Sequence, residues 1–148
     1  MIKQDYILDL IQQLSIFLAR ISGLVDAERP GVALDALDSA GNQLVGLSAR
    51  SAEALGLSSL RMMLSDRDGP DVGRMMVMGV LMSRRAALIT DPASTKRLRD
   101  KARALLIEAG VAAEGGLPVE VLRELDTLEG PPLPPVLAAA VRVISDNP

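Results

Sequence analysis

Aromatic side chains are nearly absent from this chain, and their absence limits which folds it can adopt. Tyr6 and Phe17 are the only two among 148 residues, whereas hydrophobic residues make up 49% of the chain. Aliphatic side chains must therefore fill the core, and Ala and Gly must supply close approach between elements. Sheets favour β-branched and aromatic residues, whereas small residues allow helices to pack closely. The composition therefore predicts an all-α fold.

Length and charge narrow the class of protein further. A chain of 148 residues can bury a hydrophobic core of its own, so we expect a single helical domain over residues 1–148. The net charge of −3 disfavours binding to nucleic acid. No uncharged apolar run reaches the length of a membrane span, and Asp5 and Asp9 interrupt the segment where a signal peptide would be apolar. We expect a cytoplasmic protein that binds neither nucleic acid nor membrane.

The chain also contains no His and no Cys. Those residues supply the common proton shuttle, the thiolate nucleophile and most zinc ligands. Two pairs of carboxylates, Asp35 with Asp38 and Glu120 with Glu124, lie one helical turn apart on faces predicted to be solvated. The acidic loop that begins at Asp66 lacks the glycine and the final glutamate of an EF-hand. We therefore predict no catalytic, cofactor-binding or metal-binding residues and a protein that is not an enzyme.

Residues 2–25 have apolar side chains at alternating spacings of three and four, which predicts a long helix. Its apolar arc is about 140° wide on an ideal helical wheel, so the helix should pack against two neighbours. If the chain supplies only one, a second copy supplies the other. Tyr6, Leu10, Phe17 and Ile21 would then pack inside the fold or across a dimer. Ile16 lies on the opposite, polar face as a candidate contact for a partner.

Pro and Gly residues divide the remaining chain into further helices. Ser58 is a candidate N-cap of a short helix, Pro70 begins a helix that runs to about residue 89, and Asp91 and Pro92 begin the next. The pattern predicts six or seven helices: a first hairpin over 2–46, middle helices and a second hairpin over 58–113, and a C-terminal hairpin over 118–146. Short connections between paired helices are typical of a tetratricopeptide-like stack.

The opening sequence MIKQDYI, followed by IQQL at 11–14 and LARI at 18–21, resembles one family. It is an uncharacterised bacterial family of short, tetratricopeptide-like helical proteins whose chains begin with nearly these residues. The resemblance is sharp over the first helix, diffuse through 31–47 and 70–110, and absent after residue 115. Linking helices in the family are usually richer in Glu and Lys. The resemblance implies a bacterial source and a stack of helical hairpins, and it implies no site.

Methionines cluster in the middle of the chain. Six of the seven lie between residues 62 and 82, and Met75, Met78 and Met82 share one helix face by their spacing. Methionine fills irregular gaps in cores and also lines adaptable binding grooves. The sequence leaves both interpretations open.

Charge changes sign along the second half of the chain. Residues 84–103 contain seven cations and two acids, whereas residues 104–148 contain two cations and seven acids. The basic segment could be matched internally by the acidic C-terminal hairpin, contact an acidic protein, or bind phosphate. Stacking aromatics, which single-strand RNA platforms use, are absent from this half.

These observations favour a protein–protein interaction or scaffold domain that self-associates as a homodimer. The alternative is a small-ligand or phosphate-binding regulatory protein that uses the basic hairpin 84–103. The candidate interaction surface comprises Tyr6, Ile16, Phe17, Met75, Met78, Met82, Arg84, Arg85, Arg97 and Arg103.

Overall fold

The computed structural model describes residues 2–113 and 116–146, with side chains from residue 5 onward. This part of the chain is all-α, as predicted, with eight helices and one pair of two-residue antiparallel strands. The count of six or seven was too low because residues 49–63 form two separate short helices. The helices are α1 (Ile2–Asp26), α2 (Pro30–Leu44), α3 (Ala49–Ala54), α4 (Leu57–Met63), α5 (Val72–Leu88), α6 (Pro92–Ala112), α7 (Val119–Asp126) and α8 (Pro135–Asp146), and the strands are β1 (Ser65–Asp66) and β2 (Gly69–Pro70).

Side-chain caps mark the starts of α3, α5 and α6. The predicted start of α6 is confirmed: the Asp91 carboxylate accepts the N–H of Ser94 at 2.9 Å, and Pro92 occupies the first turn. Asp71 caps α5 in the same way, so Pro70 belongs to β2 and not to the helix. The prediction for Ser58 was wrong, because α4 begins at Leu57 after Gly56.

The three predicted hairpins pack as pairs, α1 with α2, α5 with α6 and α7 with α8. Their short connections make each pair antiparallel. Helix α5, however, also packs against α1, α2, α3 and α7, so five helices surround it. In a tetratricopeptide stack each repeat contacts only its neighbours along a series. That stacking is not confirmed, and α5 is the centre of this fold.

The methionine-rich helix is the core of the molecule. Eleven of the 17 residues of α5 are buried. Met75, Met78 and Met82 have no exposed area, so their assignment to an interaction surface was wrong. Flexible thioethers fill the irregular spaces that aromatic rings would fill in another core. Met62, outside α5, is 77% exposed.

Glycines allow two helices to approach α5 closely. A Cβ at Gly79 would lie 2.6 Å from Cδ2 of Leu106 in α6, and one at Gly73 would lie 2.7 Å from Cδ1 of Leu10 in α1. Both distances are shorter than van der Waals contact, so neither position has room for a larger residue unless its neighbour moves. Backbone proximity thus replaces large side chains in this core.

Helix α1 has the two neighbours that its wide apolar arc predicts, and the chain supplies both, α2 and α5. Leu10 and Ile21 are buried, and Phe17 packs partly buried against the core. Tyr6 is 42% exposed and Ile16 is 63% exposed. Because α1 needs no second copy to cover its core-facing side, its width no longer argues for a dimer.

One stretch within α1 meets the length and composition of a membrane span. Residues Asp5–Asp26 have a mean hydropathy of 1.4 over their most apolar window, of which 22% is buried. Asp9 and Arg20 lie within the stretch, and Leu10, Ile11, Leu14 and Ile21 belong to the core. The core helix of a soluble protein meets the same criterion, so the expectation of no membrane contact stays a prediction.

Candidate functional site

The outer face of α8 is an apolar surface formed by Val136, Ala139 and Val143, with Ala140 at its edge partly buried against the core. Val136 is 79% exposed and Val143 is 59% exposed. The opposite side of the helix is buried through Leu137 and Val141. On an ideal wheel the inner and outer apolar arcs are contiguous and together span about 200°, twice the width of an ordinary core-facing stripe. The fold therefore covers only part of the apolar surface of α8.

The end of α6 packs against the start of α8. A Cβ at Gly110 would lie 2.9 Å from Cδ1 of Leu137, which places the last turns of α6 against the first turn of α8. Val111, the residue after Gly110, is 69% exposed. Val136 precedes Leu137 in the same contact region. The exposed valines of α6 and α8 are each one residue along the chain from this contact.

Every cation of the basic segment 84–103 has a partner within the chain. Arg84 meets Glu124 of α7 at 2.8 Å, and this is the one ion pair between the segment and the acidic C-terminal hairpin among the described residues. The other partners are Glu53 for Arg85, Asp100 for Lys96, the Ser94 hydroxyl for Arg97, the Thr127 carbonyl for Arg99, the Glu53 and Leu55 carbonyls for Lys101 and the Pro131 carbonyl for Arg103.

Glu124 joins α5 to α7. Its side chain is 10% exposed and accepts hydrogen bonds from the Ser83 hydroxyl at 2.7 Å and from Nε of Arg84 at 2.8 Å. Glu120, one turn earlier, is exposed. Glu124 therefore links two helices while Glu120 lies in solvent, and the two carboxylates do not converge on a shared site.

Arg103 supports the turn before α8 and does not present its charge to a partner. It is 9% exposed, it donates through Nη2 to the Pro131 carbonyl, and Gly130 packs against its guanidinium. Its Nε is buried without a partner among the described residues. Arg103 also borders an open cleft of about 1040 Å³ between α6 and residues 129–131, which Lys96, Arg99, Asp100 and Glu129 line as well.

The basic cavity is a second, smaller space of about 370 Å³, lined by Arg50, Glu53, Arg85, Ser94, Arg97 and Lys101. It lies between α3, α5 and α6, because Arg50 and Glu53 come from α3, Arg85 from α5 and the others from α6. Four cations thus face one carboxylate. Arg85 and Arg97 were candidates from the sequence. The sequence did not single out Arg50, because only the fold brings α3 beside the basic hairpin.

A groove of about 350 Å³ lies between α1 and α7 over α5. Ile11, Leu14 and Val80 contribute apolar surface, and Arg84 and Glu124 contribute their mutual ion pair at the rim. Phe17 and Ile16 do not line it. The aromatic candidates of α1 therefore do not meet the basic candidates of α5 and α6 at one site.

Two side chains titrate away from their ordinary values. Burial raises the pKa of the Tyr6 phenol, and the negative charge of Asp71 raises it to a smaller extent. The positive charge of Arg74 lowers the pKa and offsets part of this shift. The Ser94 side-chain hydrogen bond, followed by that of its backbone N–H, lowers the pKa of Asp91. Asp91 is a helix cap, and Tyr6 packs beside Gly73. Neither environment resembles a general acid or base aimed into a cleft.

Within the described residues no group of three acidic side chains could hold a metal ion. Searches for matching family models, curated proteins and solved structures found none. The resemblance to the bacterial tetratricopeptide-like family stays a prediction.

Proposed function

We propose that this protein is a non-enzymatic interaction domain that forms a homodimer through the outer face of α8. The exposed Val136 and Val143 on a helix with a contiguous apolar surface carry the proposal. Contiguous apolar surface that a fold leaves uncovered is typical of interaction sites. In this proposal the protein acts in the cytoplasm of a bacterium as a scaffold, and its partner is a second copy.

The spacing along α8 supports a second copy over an unrelated partner. If two α8 helices pack antiparallel with their two-fold axis between positions 139 and 140, Val136 of each faces Val143 of the other. Ala139 then faces Ala140. Such a face is complementary to itself, as a two-fold interface must be. The two alanines at the axis allow the helices to approach within the usual 8–10 Å or closer.

The charges of α8 are compatible with this arrangement. Arg142 and Asp146 are its only charged residues. Asp146 lies one turn after Val143, at the C-terminal edge of the outer face and beyond the positions that would pair around the two-fold axis. A helix of 12 residues is short for the interface of about 800 Å² per partner that stable complexes bury. We therefore expect a weak dimer, populated at a protein concentration on the order of 100 µM.

Sedimentation velocity across a concentration series tests the proposal. The wild-type chain should shift from monomer to dimer as its concentration rises, whereas Val136→Asp should remain monomeric because each dimer would bury two carboxylates. Val136 is 79% exposed, so the variant should fold normally, and circular dichroism checks that it does.

Met62→Asp is the matched control. Met62 is 77% exposed on α4, away from α8, so this change adds the same charge without touching the proposed interface. Its association should match that of the wild type. A wild-type chain that stays monomeric at all concentrations contradicts the dimer. A dimer that survives Val136→Asp and dissociates in Met62→Asp places the interface on α4 and contradicts the assignment to α8.

A further inference from the structure

We infer that the basic cavity binds the phosphate group of a small molecule. The cavity brings Arg50, Arg85, Arg97 and Lys101 together against one carboxylate, that of Glu53. The formal excess of three positive charges among the lining residues attracts anions to this space. Low-dielectric walls concentrate this positive potential within the cavity. The inference does not depend on the proposed dimer, because α8 contributes no residue to the cavity.

Two of the four cations, Arg85 and Lys101, are fixed at the floor of the cavity by other contacts, and the other two, Arg50 and Arg97, lie exposed at its rim. Arg85 pairs with Glu53 at 3.1 Å, and its side chain is 12% exposed. Lys101 donates to the carbonyls of Glu53 at 2.8 Å and Leu55 at 2.7 Å, which fixes its ammonium at the end of α3. These contacts hold the two cations in place, and the ammonium group retains one further donor. The floor is therefore preorganised.

The rim cations have more capacity to bind a ligand. Arg97 is exposed, and Nη2 donates to the Ser94 hydroxyl at 3.1 Å. The guanidinium of Arg50 has no ion pair or hydrogen bond within residues 2–113 and 116–146. A guanidinium carries five donors in a planar fork that matches a tetrahedral oxyanion. Arg50 and Arg97 together can therefore contact several oxygens of one phosphate.

The size and the charge of the cavity select the ligand class. About 370 Å³ is at the low end of the range of small-molecule sites. A phosphate monoester carries up to two negative charges and three strong acceptor oxygens, which suits several converging donors better than one carboxylate does. Two carboxylates lie beside the cavity without lining it: Asp91 interacts with Arg97, and Asp38 accepts the backbone N–H of Arg50 at 2.9 Å. They offset part of the excess positive charge without taking up the guanidinium donors of Arg50.

Calorimetric titration of the full chain with inorganic phosphate and with glycerol phosphate tests the inference. We expect saturable binding of one ligand per chain that weakens as the salt concentration rises from about 50 to about 200 mM. Arg50→Gln and Arg97→Gln should each weaken binding by about tenfold or more, because each removes charge-assisted hydrogen bonds. Both variants leave the Arg85–Glu53 pair intact, so they should fold.

Arg20→Gln, on the exposed side of α1, is the matched control and should bind as the wild type does. Repeating the titration on Val136→Asp separates the cavity from the dimer, because binding should persist when association is lost. Absence of saturable binding overturns the inference. So does equal binding by all three arginine variants, and so does binding of a phosphoserine peptide without binding of either small probe.

Discussion

Helices α5 and α8 are both rich in apolar residues, yet the fold buries one and leaves half of the other exposed. Five helices surround α5, so its methionines are buried on every side despite three arginines near its ends. Helix α8 packs chiefly against α7 and leaves Val136 and Val143 in solvent. The number of helices that surround an element decides its burial, and apolar composition alone does not. An apolar helix at the edge of a fold is therefore a candidate interface.

Truncating the core should have the largest effect on stability. Met78→Ala removes a side chain with no exposed area, and we expect it to lower the free energy of unfolding by about 3 kcal/mol. Met62→Ala is the control, since Met62 is 77% exposed and its loss should cost less than about 0.5 kcal/mol. Urea denaturation measures both. Equal effects would contradict the assignment of α5 as the core.

Removing the link between α5 and the C-terminal hairpin should have the next largest effect. Glu124→Ala leaves the Ser83 hydroxyl and Arg84 without their shared acceptor, so we expect a loss of about 2 kcal/mol. Glu120→Ala, in the same helix but exposed, should lose less than about 1 kcal/mol. If the two variants unfold at the same urea concentration, the Glu124 network does not hold α7 against α5.

The glycine at the crossing of α5 and α6 should show a smaller effect of definite sign. Gly79→Ala places a Cβ 2.6 Å from Leu106, and after the gain in helix propensity we expect a net loss of about 1–2 kcal/mol. Gly23→Ala in α1 meets no atom within 4 Å and should instead stabilise the protein by up to about 1 kcal/mol. Opposite shifts in thermal unfolding would confirm the close crossing. Stabilisation by both substitutions would contradict it.

The smallest effect concerns the solvent-exposed start of α6. Hydrogen bonds from Ser94 lower the pKa of Asp91 below its ordinary value of 3.8. The unfolded chain therefore binds this proton more readily, and the contribution of Asp91 to stability is lost as the pH falls through its folded pKa. Asp91→Ala should remove that contribution at neutral pH and reduce the pH dependence of stability below pH 4. An unchanged acid profile would contradict the cap.

Local chemistry made part of this fold predictable from the sequence. The all-α class followed from the lack of aromatics, and the start of α6 followed from Asp91 and Pro92, because both depend on neighbouring residues. The central place of α5 did not follow, since its three- and four-residue spacing is compatible with a core and with a groove. Only its contacts with five other helices decide between them.

The candidate site was less predictable because it depends on distant residues. The charge reversal identified Arg85 and Arg97, but it did not reveal that α3 brings Arg50 beside them. The sequence predicted Arg103 on an interaction surface because charged side chains are usually exposed, whereas the structure buries it against Gly130. The exposed face of α8 could not be predicted either, because the apolar residues of this helix form one continuous arc in the sequence pattern. A sequence pattern does not show which half of such a helix the fold covers.

Disulfide trapping tests the central claim, that α8 is an interface, most directly. The chain contains no Cys, so Ala139→Cys introduces a single thiol beside the proposed two-fold axis, where two copies come within the separation of about 7 Å that a disulfide requires. Ser22→Cys, exposed on α1, is the control for random collision. We predict that Ala139→Cys forms a covalent dimer under mild oxidation much faster than Ser22→Cys, and equal rates would contradict the account.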